Sequence, residues 1–365
     1  MEEEEDRMSQ LPDDILLLIL DKIGIFQAIE TTILSNRWKN LWCSLPALRF
    51  HLNLETEFVS HFLSHRDAAA AVHDFHLFFD SPSPYPQFPC GIDREFIEEC
   101  VIYAINHGVQ SLLLRWPTYR EVRLPAAFLT CKTLQELELR NLPSSVQVPG
   151  RLSLPNLKTF HLETVLVFDD DHHMMEPFSG LPELEKLTLG AGYWIGGLVI
   201  KAPKLRVLEI YDYDLKVKEI SAPQLTSFRY KSFNAWECAK VNLPVLEQVY
   251  LDIHETCYHQ DYMHNNFVRM LHQFGNATTV SLNVDILMIL ECKFGSFEQT
   301  PPPFPNMKCL KVIDGHNEIC TVIQRVINYL TSTLNCEVEL SPGLFVGEHM
   351  TDEETYFYKT LILRM

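Results

Sequence analysis

Histidine and cysteine are the side chains most able to ligate a metal or move a proton. His254, Cys257, His259 and His264 form H-x-x-C-x-H-x4-H. Thiolate and imidazole suit zinc, but this spacing matches no structural zinc template, and no metal is expected. His172 and His173 follow Asp169-Asp170-Asp171, which reads as a solvated loop. No Gly-rich phosphate loop, G-x-S-x-G elbow or H-E-x-x-H pair occurs. The expectation is a non-catalytic chain with no catalytic residue and no cofactor; an enzyme with a cryptic spatial triad is the remote alternative. The ten cysteines form no C-x-x-C pair. A RING-type zinc module needs closely spaced ligand pairs, so none is expected. Reduced, mostly buried thiols follow.

The remaining chemistry is recognition by apolar and aromatic groups. Trp38, Leu41 and Trp42 are spaced i, i+3, i+4 and share a helical face. Two tryptophans so placed make a core anchor or a contact hot spot. The elements that position them are three short helices between Leu11 and Leu48. The first starts near Pro12, carries Asp13 and Asp14 in its first turn, and stops at Gly24. Ile15, Ile19 and Ile23 make one row on it, Leu16 and Leu20 the next, and Leu17 and Leu18 widen the apolar surface. A second helix is expected over Phe26–Leu34, and a third follows a cap at Ser35 or Asn36. A segment of about 40 residues rarely buries such a surface alone. A partner or a following domain must cover it.

These residues resemble the F-box of plant F-box proteins. The resemblance rests on Met8-Ser9-Gln10-Leu11-Pro12-Asp13-Asp14-Ile15-Leu16 and on Leu34-Ser35-Asn36-Arg37-Trp38-Lys39-Asn40-Leu41-Trp42. The middle, Ile25-Phe26-Gln27-Ala28-Ile29, lacks the Pro-Thr-Lys-Asp-like stretch common in such proteins. The resemblance implies a Skp-type adaptor as partner and, through it, cullin and RING subunits of a ubiquitin ligase. Carried over by matching position, the adaptor contacts are Leu11, Pro12, Ile15, Leu16, Ile19, Leu20, Trp38, Leu41 and Trp42.

Beyond residue 100 the pattern Pro-x-Leu-x-x-Leu-x-Leu recurs. Its anchors include Leu134, Leu157, Leu184, Leu205, Leu225 and Leu246, with a later copy at Met307 and weaker ones at Leu112/Leu114 and Val280/Leu282. The spacing of about 20–29 residues is that of leucine-rich repeats. The closing Leu-x-Leu puts two side chains on one face of a strand. Neighbouring copies must cover each other, which gives a stacked, curved solenoid. Leu198–Ile200 and Val217–Ile220 are expected as short strands on its other side. The repeats resemble the irregular ones that follow many plant F-boxes. The exposed strand positions are candidate contacts for an unidentified protein substrate: Glu138, Arg140, His161, Glu163, Glu209, Tyr211, Arg229, Lys231, Tyr250 and Asp252.

The fold class expected is mixed α and β: a small three-helix F-box followed by an irregular leucine-rich-repeat solenoid. Residues 1–6 read as an acidic disordered start, 7–50 as the F-box, and 51–108 as a junction with a Pro-rich loop at 81–89. Residues 109–315 read as repeats and 316–365 as a carboxy-terminal cap. Helices are expected at Ala68–Val72, Glu95–Asn106 and Asn317–Leu330, and a strand within Tyr356–Met365. The chain of 365 residues is 47% hydrophobic, enough for a sizeable core, and its net charge of -18 argues against nucleic-acid or anionic-membrane binding. The acidic start Glu2–Asp6 is the opposite of a signal peptide's. An intracellular protein, nuclear or cytoplasmic, is expected. The function expected is the substrate-recognition subunit of a Skp–cullin–F-box ligase. The alternative is a repeat scaffold without ligase function.

Overall fold

The structure is a computed structural model. It describes residues 10–52, 56–79, 94–115, 122–140, 146–148, 152–163, 166–168, 176–190, 197–211, 217–232, 238–254, 261–314, 323–332 and 336–342. Its helices are α1 (Asp13–Ile23), α2 (Ile25–Glu30), α3 (Thr56–Ser64), α4 (Arg94–Asn106), α5 (Asp261–Gln273), α6 (Val284–Cys292), α7 (Phe294–Phe297) and α8 (Gln324–Leu330). In chain order the strands are β1 (Ala47–Leu52), β2 (Asp74–Phe79), β3 (Ser111–Arg115), β4 (Val122–Arg123), β5 (Glu136–Arg140), β6 (Val146–Val148), β7 (Thr159–Leu162), β8 (Leu166–Phe168), β9 (Lys186–Leu189), β10 (Leu198–Lys201), β11 (Val207–Tyr211), β12 (Val217–Ser221), β13 (Ser227–Ser232), β14 (Lys240–Asn242), β15 (Gln248–Ile253), β16 (Thr279–Asn283), β17 (Cys309–Asp314) and β18 (Glu337–Pro342).

Twelve strands form one sheet in the order β1-β2-β3-β5-β7-β9-β11-β13-β15-β16-β17-β18. Neighbours in space follow chain order, and the paired strands run parallel. Each repeat therefore supplies one strand and returns to start the next beside it. The proline of the repeat explains the entry. Pro155, Pro203 and Pro223 occupy the second position of tight turns closed by Leu157 N–H to Leu154 C=O (3.2 Å), Leu205 to Ala202 (3.3 Å) and Leu225 to Ala222 (3.0 Å). Proline's fixed φ suits that position. The turn sends the anchor leucine inward, and Leu157, Leu184, Leu205 and Leu225 are fully buried. The two strand leucines follow them into the same core, as with Leu208 and Ile210.

On the other side lie two small parallel sheets, β4-β6-β8 and β10-β12-β14. β10 and β12 are the short strands expected from the sequence. The outer layer changes where the repeats lengthen. Between β11 and β13 only 212–226 intervene, but 254–278 separate β15 from β16 and accommodate α5. A longer connection allows the helix that a short one forbids.

The sheet begins earlier than the repeats suggest. β1 starts inside the 7–50 segment, and the stretch read as a junction carries α3 and β2. Their apolar pairs, Leu48/Phe50 and Phe75/Leu77, are buried but lack the proline and anchor leucine that mark later copies. Ala68–Val72 is not helical. Asp67 accepts Ala69 N–H through its side chain (2.9 Å) and Ala70 N–H through its carbonyl (3.0 Å), and such local bonds compete with a helix. α4 spans the expected helix, and α8 covers the described part of Asn317–Leu330. The Pro-rich loop at 81–89, the start at 1–6, Asp169–His173 and Tyr356–Met365 lie outside the described residues.

The amino-terminal helices merge with the sheet edge. The second and third are shorter and tighter than expected. α2 gives way to a 3₁₀ turn at Thr31–Ile33, where the Thr31 hydroxyl donates to Ala28 C=O (2.7 Å). Trp38–Ser44 is 3₁₀ rather than α, ending at Leu45-Pro46, where proline bars continuation. Arg49 on β1 joins Asp21 of α1 (2.7 Å) to Asp74 of β2 (2.6 Å). Phe26 stacks on Phe58 of α3 with ring centroids 4.6 Å apart, and Trp42 meets Phe62 at 5.0 Å.

Candidate interaction surfaces

The first surface lies on the amino-terminal helices. Pro12 stands just before α1, and its carbonyl accepts Ile15 and Leu16 N–H, both at 3.1 Å. Gly24 ends the helix at φ 87°, a conformation glycine adopts without strain. Arg37 binds Asp13 Oδ1 through Nε (2.8 Å) and Nη2 (2.5 Å), and it also donates to Leu11 C=O. One guanidinium thus holds the Leu11-Pro12-Asp13 segment against the Arg37-Trp38 segment. The two distant sequence motifs are physically one clasp.

The nine expected adaptor contacts divide by burial. Leu16, Leu20, Trp38 and Leu41 are inside the chain's own core; Leu11, Ile19 and Trp42 are half-buried; Pro12 and Ile15 are exposed. The first four support the surface rather than forming it, because α2, α3 and the sheet edge cover them. Other apolar residues stand outside: Leu18 at 59% exposure, Phe26 at 49%, Ile33 at 88% and Leu34 at 62%. Ile15, Leu18 and Ile19 share an outward face at i, i+3, i+4. Ile33 and Leu34 precede by four and three residues the Arg37 that is bonded to the start of α1. Sequence reasoning missed Ile33 and Leu34, although an apolar pair directly before Ser35-Asn36 was a signal.

The second surface is the outward face of the sheet. Parallel register aligns alternate positions into rows. Glu138, His161, Thr188, Glu209, Arg229 and Tyr250 form one row across β5 to β15. Tyr211, Lys231 and Asp252 lie in the next row. Eight of the ten residues expected there, all but Arg140 and Glu163, are thereby brought together in two lines, with Thr188 added to the first. Arg140 pairs with Glu138 (2.9 Å), and His161 with Glu163 (2.6 Å). Thr188 donates to Glu209 (3.1 Å). Arg229 lies over the Tyr250 ring, 4.6 Å from its centroid, a cation–π geometry. Burial pushes the Tyr211 and Tyr250 phenols up, Tyr250 to about 12. Burial works against the charged Arg229, but Tyr211, Glu209 and Tyr250 outweigh it and leave Arg229 above its usual value.

At the end of β15, His254 lies between two carboxylates: Nε2 reaches Asp252 and Nδ1 reaches Asp285, both at 2.9 Å. Hydrogen bonds to Asp252 and Asp285 raise its imidazole to about 9. Burial alone would push Asp252 up, but His254 and Lys231 hold it below the usual carboxylate range. Asn283 caps α6 by accepting Ile286 N–H (3.3 Å) and donates to Ile253 C=O (2.9 Å). Of the H-x-x-C-x-H-x4-H residues, His254 is thus held by carboxylates. His264 is buried on α5, and Cys257 and His259 lie outside the described residues. Among the described residues no three His, Cys, Asp or Glu side chains are grouped to hold a metal. No described helix is long and apolar enough to cross a membrane.

A helical module with an exposed apolar face, followed by a parallel sheet built from leucine repeats, defines the F-box/leucine-rich-repeat class. The F-box domain model matches residues 8–50, and the model for the LRR repeats of the FBD-associated F-box protein At5g56370 matches 98–312. The second match spans more than half of the chain, which therefore belongs to that family of F-box proteins with leucine-rich repeats. Three Arabidopsis thaliana relatives illustrate the likeness. The FBD-associated F-box protein At4g10400 is 29% identical over 68% of this chain and 61% of its own length. The F-box/FBD/LRR-repeat protein At1g80470 is 26% identical over 84% of this chain and 67% of its own. The F-box/LRR-repeat protein At4g14103 is 29% identical over 76% of this chain and 75% of its own. Against another such relative the chain spans 60% of the length. No solved structure matches it. F-box domains generally bind Skp-type adaptors, and proteins of this family are generally non-catalytic.

Proposed function

We propose that this chain is the substrate-recognition subunit of a Skp–cullin–F-box ubiquitin ligase, acting inside the cell in the nucleus or cytoplasm. Its F-box, residues 7–50 with the covering α3, docks on a Skp-type adaptor and thereby on cullin and RING subunits. The repeats, residues 109–315, stack as a curved solenoid whose strand face holds a target protein. The work is tethering: a lysine of the held target meets the activated ubiquitin at high effective concentration.

The observation that carries this reading is the exposure of Ile15, Leu18, Ile33 and Leu34 on helices whose Leu16, Leu20, Ile25, Ala28, Trp38 and Leu41 are sealed. Burying one such side chain contributes about 1.5–3 kcal/mol, and a partner surface can supply that burial. The target face rests on Tyr211, Arg229 and Tyr250, residue types that dominate contact energies, in two adjacent rows, of which one is preorganised by the Arg229–Tyr250 contact.

The burial of Leu16, Leu20, Trp38 and Leu41 favours the second reading, in which the helices only cap the sheet. Titrating the full chain with a purified Skp-type adaptor separates the two. The ligase reading expects a one-to-one complex that Leu34→Asp weakens by more than about 100-fold. Absence of binding by the unaltered, folded chain overturns it.

A further inference from the structure

Charges on the outward face lie at different depths. From β9 to β15 the cations stand further out than the carboxylates they pair with. The Lys186 side chain is 45% exposed against 19% for Glu209, and Lys231 is 24% exposed against 11% for Asp252. His254, which its two carboxylates keep charged at neutral pH, is also more exposed than Asp252. Elsewhere on the face the order reverses: Glu163 is more exposed than His161, and Glu339 more than Lys311. A partner approaching β9 to β15 therefore meets a positive layer first.

The pairing distances leave this layer free to act. Glu209 takes a hydrogen bond from Thr188 (3.1 Å), and Lys186 stands further off at 3.4 Å. Asp252 is held by His254 (2.9 Å), and Lys231 stands off at 3.5 Å. Neither ammonium group is the closest donor to its carboxylate. Between them on β13 the exposed Arg229 lies over the Tyr250 ring and interacts with the Tyr211 hydroxyl. Aromatic groups fix the guanidinium without cancelling its charge. A fixed guanidinium with an open edge suits the two oxygens of a carboxylate.

We propose that β9 to β15 hold an acidic stretch of the target protein, whose carboxylates Arg229, Lys186 and Lys231 receive. This rests on the reading of the strand face as the target surface. The net charge of -18 does not oppose it at short range, because at ionic strength of about 0.15 M charges further than about 8 Å are largely screened.

Fluorescence anisotropy of a labelled hexaglutamate peptide with the full chain, at that ionic strength, tests it. Hexaglutamate is expected to bind at least about tenfold more tightly than hexaglutamine, and Arg229→Gln to weaken it at least about tenfold. Lys204→Gln removes the same charge from an entry turn and is expected to leave the affinity unchanged. Equal binding of the two peptides, or equal losses in the two variants, overturns the proposal. A second measurement needs no substitution. Phenylglyoxal should modify Arg229 at least about fivefold more slowly with hexaglutamate present, while Arg206, exposed on the entry edge, keeps its rate, as read by peptide mass spectrometry. Equal rates at Arg229 with and without the peptide overturn the proposal. The adaptor takes no part in either measurement, so loss of peptide binding with adaptor binding intact overturns this inference alone.

Discussion

In the sheet, Leu208 is fully buried, with Leu187 and Phe228 beside it in register. In the amino-terminal helices, Leu34 is 62% exposed and Ile33 is 88% exposed. The same apolar chemistry is thus sealed in one region and displayed in the other. The difference lies in the geometry of each. Parallel strands cover one another's inward rows on both sides, so a repeat inside the stack leaves no leucine bare. Three short helices have too few neighbours to do so. α3 and β1 cover one side, through Phe58, Phe62 and Phe50, and the other side stays open.

Substitutions can break that comparison. In the sheet, Leu208→Ala should cost about 2–5 kcal/mol of stability, read by chemical denaturation, because it leaves a cavity. Target binding should then fall only as the folded fraction falls. On the helices, Leu34→Asp should leave the melting temperature within about 2 °C, since exposed substitutions away from special contacts are nearly neutral. Adaptor affinity should nevertheless fall more than about 100-fold, or ~2.7 kcal/mol. If Leu34→Asp instead unfolds the chain as Leu208→Ala destabilises it, the contrast between the regions disappears.

Arg37→Ala sharpens the comparison at an intermediate scale. It removes the clasp to Asp13 and Leu11 but no buried apolar group. The pair is solvent-exposed, so its direct contribution to stability should be small. Calorimetry should show adaptor affinity down about tenfold through loss of preorganisation.

The smallest effect is expected at His254. Its folded imidazole is raised to about 9, above the usual ~6.5 of an unfolded chain. The stabilisation is therefore complete below pH ~6.5 and is lost as pH rises through about 9. His254 is about one-third exposed, so solvent screens the effect. Between pH 6.5 and 10 the melting temperature should fall by a few °C. His254→Gln should remove that part of the slope, and an unchanged slope would show that the two carboxylates do not stabilise its charge.

Much of this was legible in the residues. The Pro-x-Leu-x-x-Leu-x-Leu copies state their turn, anchor and strand positions, and Pro155, Leu157, Phe160 and Leu162 take the places their spacing implies. The outward rows were legible for the same reason, since strand alternation has a period of two. β1 and β2 were not legible, because Leu48/Phe50 and Phe75/Leu77 carry the alternation without the proline turn. The motif pair identified the helical module but not its outer face. A motif records which residues occur together and does not separate those that build a surface from those that form it. Leu16, Trp38 and Leu41 carry the pattern and lie inside, whereas Ile33 and Leu34 lie outside it or at its edge.

The most direct test is the affinity of the folded full chain for a Skp-type adaptor, measured by calorimetry for three forms: unaltered, Leu34→Asp and Val245→Asp. Val245 is a control from the repeats, 47% exposed and far along the chain from the helices. The account predicts tight one-to-one binding that Val245→Asp leaves unchanged and Leu34→Asp weakens more than about 100-fold. Equal binding by all three forms, or none by the unaltered chain, would contradict it.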